Sequence, residues 1–156
     1  MKQTYFLATI ALFMALTACQ KPVPIEDEKQ QRIEVSYYNL EGCWRLTHLN
    51  GEPLFDESMM YIDFVAPAKD GAVAHYEMWD NLGSMYLRQT TGTYTITKEE
   101  NDTYTLRGTY DNGVGDWNEE YRVDLFQNDR MLWWSLQTGV CLEFNFAIEK
   151  PEEFYN

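Results

Sequence analysis

From Gly42 to Ile148 the chain is cut into short pieces by turn-forming residues, and this punctuation constrains the fold more than any other feature. Asn50-Gly51, Asp70-Gly71, Asn81-Leu82-Gly83, Glu100-Asn101-Asp102, Asp111-Asn112-Gly113, Asn128-Asp129 and Thr138-Gly139 separate pieces of about 8 to 15 residues. That spacing suits hairpins and leaves no room for helical crossovers between strands. Inside the pieces apolar and polar residues alternate. Trp44 and Leu46 share a face, as do Met60, Ile62 and Phe64, then Tyr94 and Ile96, and Tyr104 and Leu106. Tyr121, Val123 and Leu125 follow, then Leu132, Trp134 and Leu136, and finally Leu142, Phe144, Phe146 and Ile148. Thr93, Thr95, Thr105, Arg107, Arg122, Asp124, Glu143 and Asn145 stand between them and suit a solvent face. The stretch Ser84–Thr97 is long for one strand, so Thr91-Gly92 is expected to be a bulge or break.

The pattern predicts an all-β domain of about eight antiparallel strands. Up-and-down strands with one apolar face each close into a small β-barrel, which removes exposed sheet edges. An open β-sandwich is the alternative, and the short connections favour the barrel. A polar outer face argues against a barrel that crosses a membrane.

Composition narrows the functional classes. The net charge is −13 and aromatic residues make up 15% of the chain. Such acidity excludes the basic footprint that nucleic-acid binding needs, and it disfavours docking on anionic lipid. Attachment to a membrane must therefore come from elsewhere, and the N-terminus offers it. Met1-Lys2-Gln3 precedes the apolar run Tyr5–Leu16, which is too short to span a bilayer. The run ends in Leu16-Thr17-Ala18-Cys19, which resembles the lipobox of bacterial lipoproteins. The resemblance implies a signal peptide over residues 1–18 and acyl chains on Cys19, the lipid anchor. Gln20 follows, and by resemblance to the enterobacterial sorting pattern its being other than Asp implies the outer membrane. Glu26-Asp27-Glu28 is similar to surface-export signals of Bacteroidetes lipoproteins, and leaves open whether the domain faces the periplasm or the cell surface. Residues 19–39, with Pro22, Pro24 and a charged run, read as a flexible tether, within which Asp27–Val35 has the makings of a short helix. The barrel is expected over 40–150 and a short tail over 151–156.

At the head of the first strand stands Leu40-Glu41-Gly42-Cys43-Trp44-Arg45-Leu46. Its Gly-x-Trp resembles the opening signature of lipocalins, and with the lipobox and eight short strands the chain is similar to lipocalin-like lipoproteins of the Bacteroidetes type. That resemblance implies a Trp44 that plugs one end of the barrel. It also implies a small ligand inside, entering at the mouth opposite Trp44. The second lipocalin signature, Thr-Asp-Tyr, is absent, and Asn50–Ser58 is short for a lid loop. In such a barrel the first and last strands pair, which brings Cys43 and Cys141 together as a disulfide if register allows; otherwise both are free thiols. Closing a loop of about 100 residues, the bond would contribute up to about 4–5 kcal/mol.

The expected cavity lining is Trp44, Phe64, Tyr76, Tyr94, Tyr104, Tyr121, Trp134 and Phe144, which either surround a ligand or simply fill the core. The wall is aromatic and largely uncharged, and the last strand lacks the Arg-x-Tyr clamp of fatty-acid carriers. A small apolar or neutral amphipathic molecule is therefore expected. Of the adjacent Trp133 and Trp134, one must face away from the core, and Trp79 and Trp117 fall near the mouth. These rings suit contact with an envelope protein or glycan, or lie beneath Arg and Lys stems. Catalysis is not expected. His48 and His75 fall in different strands without metal-ligand spacing, and no phosphate loop or nucleophile elbow is present. Asp111–Asp116 reads as a hairpin turn without the spacing of a calcium loop. No metal and no cofactor are expected.

Overall fold

A computed structural model describes residues 31–111, 113, 115–148 and 150. The expected signal peptide, Cys19 and most of the expected tether, with the tail 151–156, lie outside the described residues.

The order of elements is β1 (Arg32–Ile33), α1 (Tyr37–Leu40), β2 (Gly42–Leu49), β3 (Glu52–Pro53), β4 (Met60–Val65) and β5 (Ala74–Asp80). Then come β6 (Arg88–Lys98), β7 (Tyr104–Tyr110), β8 (Gly115–Asp116), β9 (Tyr121–Phe126), β10 (Arg130–Ser135) and β11 (Cys141–Phe146). Eight of the strands form a closed antiparallel barrel in the order β9-β10-β11-β2-β4-β5-β6-β7, sealed by β7 pairing back onto β9. The turn residues act as expected. At the β2–β3 hairpin Asn50 and Gly51 both have positive φ (53° and 82°), the backbone that a two-residue turn requires.

The seam is where the sequence was hardest to read. Tyr104↔Val123 to Leu106↔Tyr121 joins β7 to only half of β9. The other half pairs with β1, through Arg32↔Phe126 and Ile33↔Leu125. The last part of the expected tether is thus built into the fold, with Val35 buried in the core beside Leu40, and Arg32–Ile33 is strand where a short helix was expected. Ser36 caps α1, its hydroxyl accepting from Asn39 N at 3.2 Å.

Two expectations of facing are corrected. In β10 the inward residues are Met131, Trp133 and Ser135, not Leu132 and Trp134. Register dictates this, because directly paired residues share a face: Met131 stands opposite Leu125 and Trp133 opposite Val123. Leu136 and Ile148, expected inside, are exposed, Ile148 at 93%. The expected break at Thr91-Gly92 is also absent, since β6 runs unbroken through it. Gly92 is needed for a different reason. A Cβ there would lie 2.0 Å from the Thr109 carbonyl oxygen and 2.7 Å from the Tyr76 hydroxyl, so glycine admits both the neighbouring backbone and that ring.

The disulfide is corrected as well. β11 and β2 do pair, but antiparallel, with Leu142 opposite Leu49 and Phe146 opposite Trp44. Cys43 therefore sits at one end of this strand pair and Cys141 at the other, and both are free thiols. Burial pushes each thiol up to about 11.

Candidate functional site

One end of the barrel is sealed. The Trp44 indole donates to Leu40 O at 2.9 Å, so α1 is tied across the opening. Phe146 packs on Trp44 edge-to-face at 5.2 Å. Gly42 has φ of 113°, and a Cβ on it would lie 2.7 Å from the Phe146 ring. The Gly-x-Trp spacing thus has a local cause: glycine admits the ring that covers the tryptophan. Above this floor the interior is filled ring on ring. Tyr94 lies between Tyr37 (5.5 Å) and Phe64 (4.8 Å), and Phe64 and Phe144 both meet Trp133, at 6.1 and 4.7 Å. Burial raises the Tyr94 hydroxyl well above the ordinary tyrosine range, and among the described residues that hydroxyl has no hydrogen-bond partner.

The other end is open. After β8 the chain turns inward, with Trp117 N donating to Gly108 O at 2.7 Å. The Trp117 ring occupies the space where a side chain at Gly108 would stand, since a Cβ there would be 2.1 Å from it. Its indole donates to the Tyr76 hydroxyl at 2.7 Å, and its ring lies 5.0 Å from Tyr76, 5.7 Å from Trp133 and 6.2 Å from Tyr121. Beside it is a half-open cleft of about 230 Å³, lined by Met60, Met78, Tyr110, Trp117, Asn118, Glu119, Tyr121 and Trp133. An adjoining hollow of about 360 Å³ shares Met78, Tyr110 and Asn118 and adds Asp80, Arg88, Thr90 and Asp116. Tyr76 and Tyr121 are both raised to about 12, mainly by burial, with the Trp117 hydrogen bond pulling Tyr76 back.

Of the eight residues expected to line a cavity, Tyr121 alone touches this cleft. Trp44, Phe64, Tyr76, Tyr94 and Phe144 are packed core. Tyr104 is half-buried against the core, with the Lys98 ammonium 5.8 Å from its ring centre. Trp134 lies on the outer face, with the Arg122 guanidinium 5.3 Å from its ring centre. Trp79, expected near the mouth, is only 4% exposed and belongs to a second cluster on the outside with Cys43 and Tyr61, under the Lys150 ammonium at 4.6 Å. Met60, Met78 and Tyr110 were not anticipated at the site. Their signal is positional, for all three fall at strand ends on the mouth side. At the Asp111–Asp116 turn, Asn112 and Val114 lie outside the described residues. The Asp116 carboxylate accepts from the Thr109 hydroxyl (2.9 Å) and from Arg107 (2.6 Å). Among the described residues no three His, Cys, Asp or Glu side chains group as a metal site.

Closed antiparallel barrels of eight strands, like this one with its tryptophan-plugged floor and small mouth cleft, either fill their interior with side chains or hold one small ligand. A family model for a lipocalin-like domain matches residues 40–132, and the chain belongs to that family. No curated protein and no solved structure matches significantly.

Proposed function

We propose that this chain is a non-catalytic lipoprotein that binds one small apolar or neutral amphipathic molecule at the mouth of its barrel. In this reading acylated Cys19 holds it in the cell envelope, at the outer membrane. The observation that carries the binding role is the cleft walled by Trp117, Tyr121, Trp133, Met60 and Met78 at the end opposite the sealed floor. Its volume of about 230 Å³ lies below the roughly 300–1,000 Å³ of drug-sized pockets. The ligand is therefore small and bound near the surface, because packed rings occupy the depth of the barrel.

The test is a titration of the full chain in lipid nanodiscs with an environment-sensitive apolar fluorophore, following energy transfer from tryptophan. Saturable one-to-one transfer beyond that of empty discs is expected, and transfer that only tracks partition into lipid contradicts the reading. The anchor is tested separately by labelling cells with a fatty-acid analogue. Label is expected on the native chain and lost in Cys19→Ser; equal label in both overturns the anchor.

One observation favours a second reading, an interaction module that contacts an envelope protein or glycan. Phe55, Met85 and Tyr86 project from mouth loops at 88%, 90% and 76% exposure. Unchanged partner capture after all three are replaced by Ser would count against it.

A further inference from the structure

The shape and charge of the mouth cleft restrict its ligand further than "small and apolar". We propose that the cleft takes a flat aromatic molecule of one or two rings, uncharged or cationic, in preference to an acyl chain or an anion. This rests on the reading that the barrel binds a small molecule at all.

Depth comes first. An acyl chain needs a long, narrow channel, and none runs down this barrel. Trp133 forms the base of the cleft, and behind it Phe144 and Phe64 are in ring contact at 4.7 and 6.1 Å, each essentially fully buried. Entry of a chain would require displacing packed core.

Size comes next. An apolar cavity of about 150 Å³ accepts benzene, and drug-sized pockets begin near 300 Å³. At about 230 Å³ the cleft falls between them. The walls then select the shape. Tyr121 meets Trp133 at 5.1 Å with planes inclined by 41°, and Trp117 meets it at 5.7 Å with planes inclined by 32°. These inclined faces form an aromatic corner, and Met60 and Met78 complete the lining with polarisable thioethers. A planar ring gains offset or edge contacts with several faces at once, and sulfur–ring contacts with the methionines; a flexible chain gains neither and loses more conformational freedom on binding.

Charge settles the last part. The cleft holds Glu119, and the adjoining hollow adds Asp80 and Asp116. Among the described residues Arg88 is the one cation in either lining, and its guanidinium is already bonded to the Asp80 carboxylate and to Leu82 O (3.3 Å). Asp116 is paired with Arg107, and Glu119 accepts from the Thr138 hydroxyl at 3.4 Å. An incoming anion thus meets three carboxylates and two guanidinia, Arg88 and Arg107, that are already engaged, so the local balance is negative. The oxygens of Glu119 and Asn118 at the rim can accept from a ring N–H or an ammonium.

The tryptophan distribution supplies its own controls. Trp117 and Trp133 line the cleft, Trp44 lies in the floor, and Trp79 and Trp134 lie on the outer face. The full chain, ¹⁵N-labelled in neutral-lipid nanodiscs, is titrated with indole, tryptamine, indole-3-acetate and 1-decanol while the five indole N–H signals are followed. Indole and tryptamine are expected to saturate, moving Trp117 and Trp133 and leaving the other three. Indole-3-acetate is expected to bind at least about tenfold more weakly than indole. Indole-3-acetate binding as tightly as indole overturns the charge preference. Decanol saturating at Trp117 and Trp133 while indole does not overturns the aromatic preference yet leaves small-molecule binding intact. Shifts confined to Trp79 or Trp134 overturn the site, and no saturation by any of the four overturns both the site and the carrier reading beneath it.

Discussion

At the floor of the barrel the Trp44 indole donates to a backbone carbonyl of α1 and lies beneath Phe146; at the mouth the Trp117 indole donates to a tyrosine hydroxyl and stays half-exposed. Each end depends on a glycine: Gly42 leaves room for the Phe146 ring that covers Trp44, and Gly108 leaves room for Trp117 itself. What differs is the covering. The floor ring is fixed to the chain's own helix and closed over, whereas the mouth ring leans on side chains and leaves a cleft beside it. Similar residues thus yield a stabilising plug at one end and a binding surface at the other, according to what covers the ring.

The largest expected effect lies at the floor. Trp44→Ala removes a fully packed indole and leaves a cavity, and is expected to cost about 3–5 kcal/mol in a chemical denaturation. A loss under about 1 kcal/mol would show that the plug contributes little. Gly108→Ala acts at the mouth by displacement, since the new Cβ cannot coexist with the Trp117 ring. It is expected to cost about 1–3 kcal/mol and to move the Trp117 indole N–H signal most; an unmoved signal would contradict the seat. Trp117→Phe keeps a ring but deletes the hydrogen bond to Tyr76, at a cost of about 1 kcal/mol. Because that bond lowers the Tyr76 pKa, tyrosinate absorbance is expected to show Tyr76 titrating at higher pH in the variant.

Smaller effects follow from burial at both ends. Tyr76 and Tyr121 ionise near 12 in the folded chain, above the ordinary value of 10.0. Their folded pKa is raised, so their contribution to stability is complete below about pH 10 and is lost as pH rises towards 12. Because burial also raises the Cys43 and Cys141 thiols from 9.0 to about 11, denaturation midpoints are expected to hold up to about pH 9 and then fall. A fall that begins near neutrality would have another source. The smallest effect concerns Cys43 and Cys141. As separated free thiols they are expected to leave the melting temperature unchanged on adding reductant, with Cys43 the slower to alkylate.

Much of this architecture could be read from residue types, and the exceptions have physical causes. Turns announce themselves because Asn50, Gly51 and Asp129 adopt positive φ that few residues tolerate. The facing of β10 does not, because Met131-Leu132-Trp133-Trp134 is apolar throughout and alternation has no phase there. The three-residue connection between Phe126 and Arg130 holds the missing signal, for its register places Met131 opposite Leu125. The floor segment Arg32–Leu40 was hidden for a different reason. It buries only Val35 and Leu40 fully and takes its order from the β9 edge, a partner some ninety residues away. The cleft was the least legible part, since it is the volume left over where strand ends and one inserted loop residue meet.

Exchange of the indole N–H protons tests the contrast between the two ends most directly. With the floor sealed and the mouth open, Trp44 is expected to exchange only through global unfolding, while Trp117 exchanges orders of magnitude faster and slows when a small apolar probe saturates the chain. Trp44 exchanging as fast as Trp117, or a probe that protects Trp44 and leaves Trp117 unchanged, would contradict it.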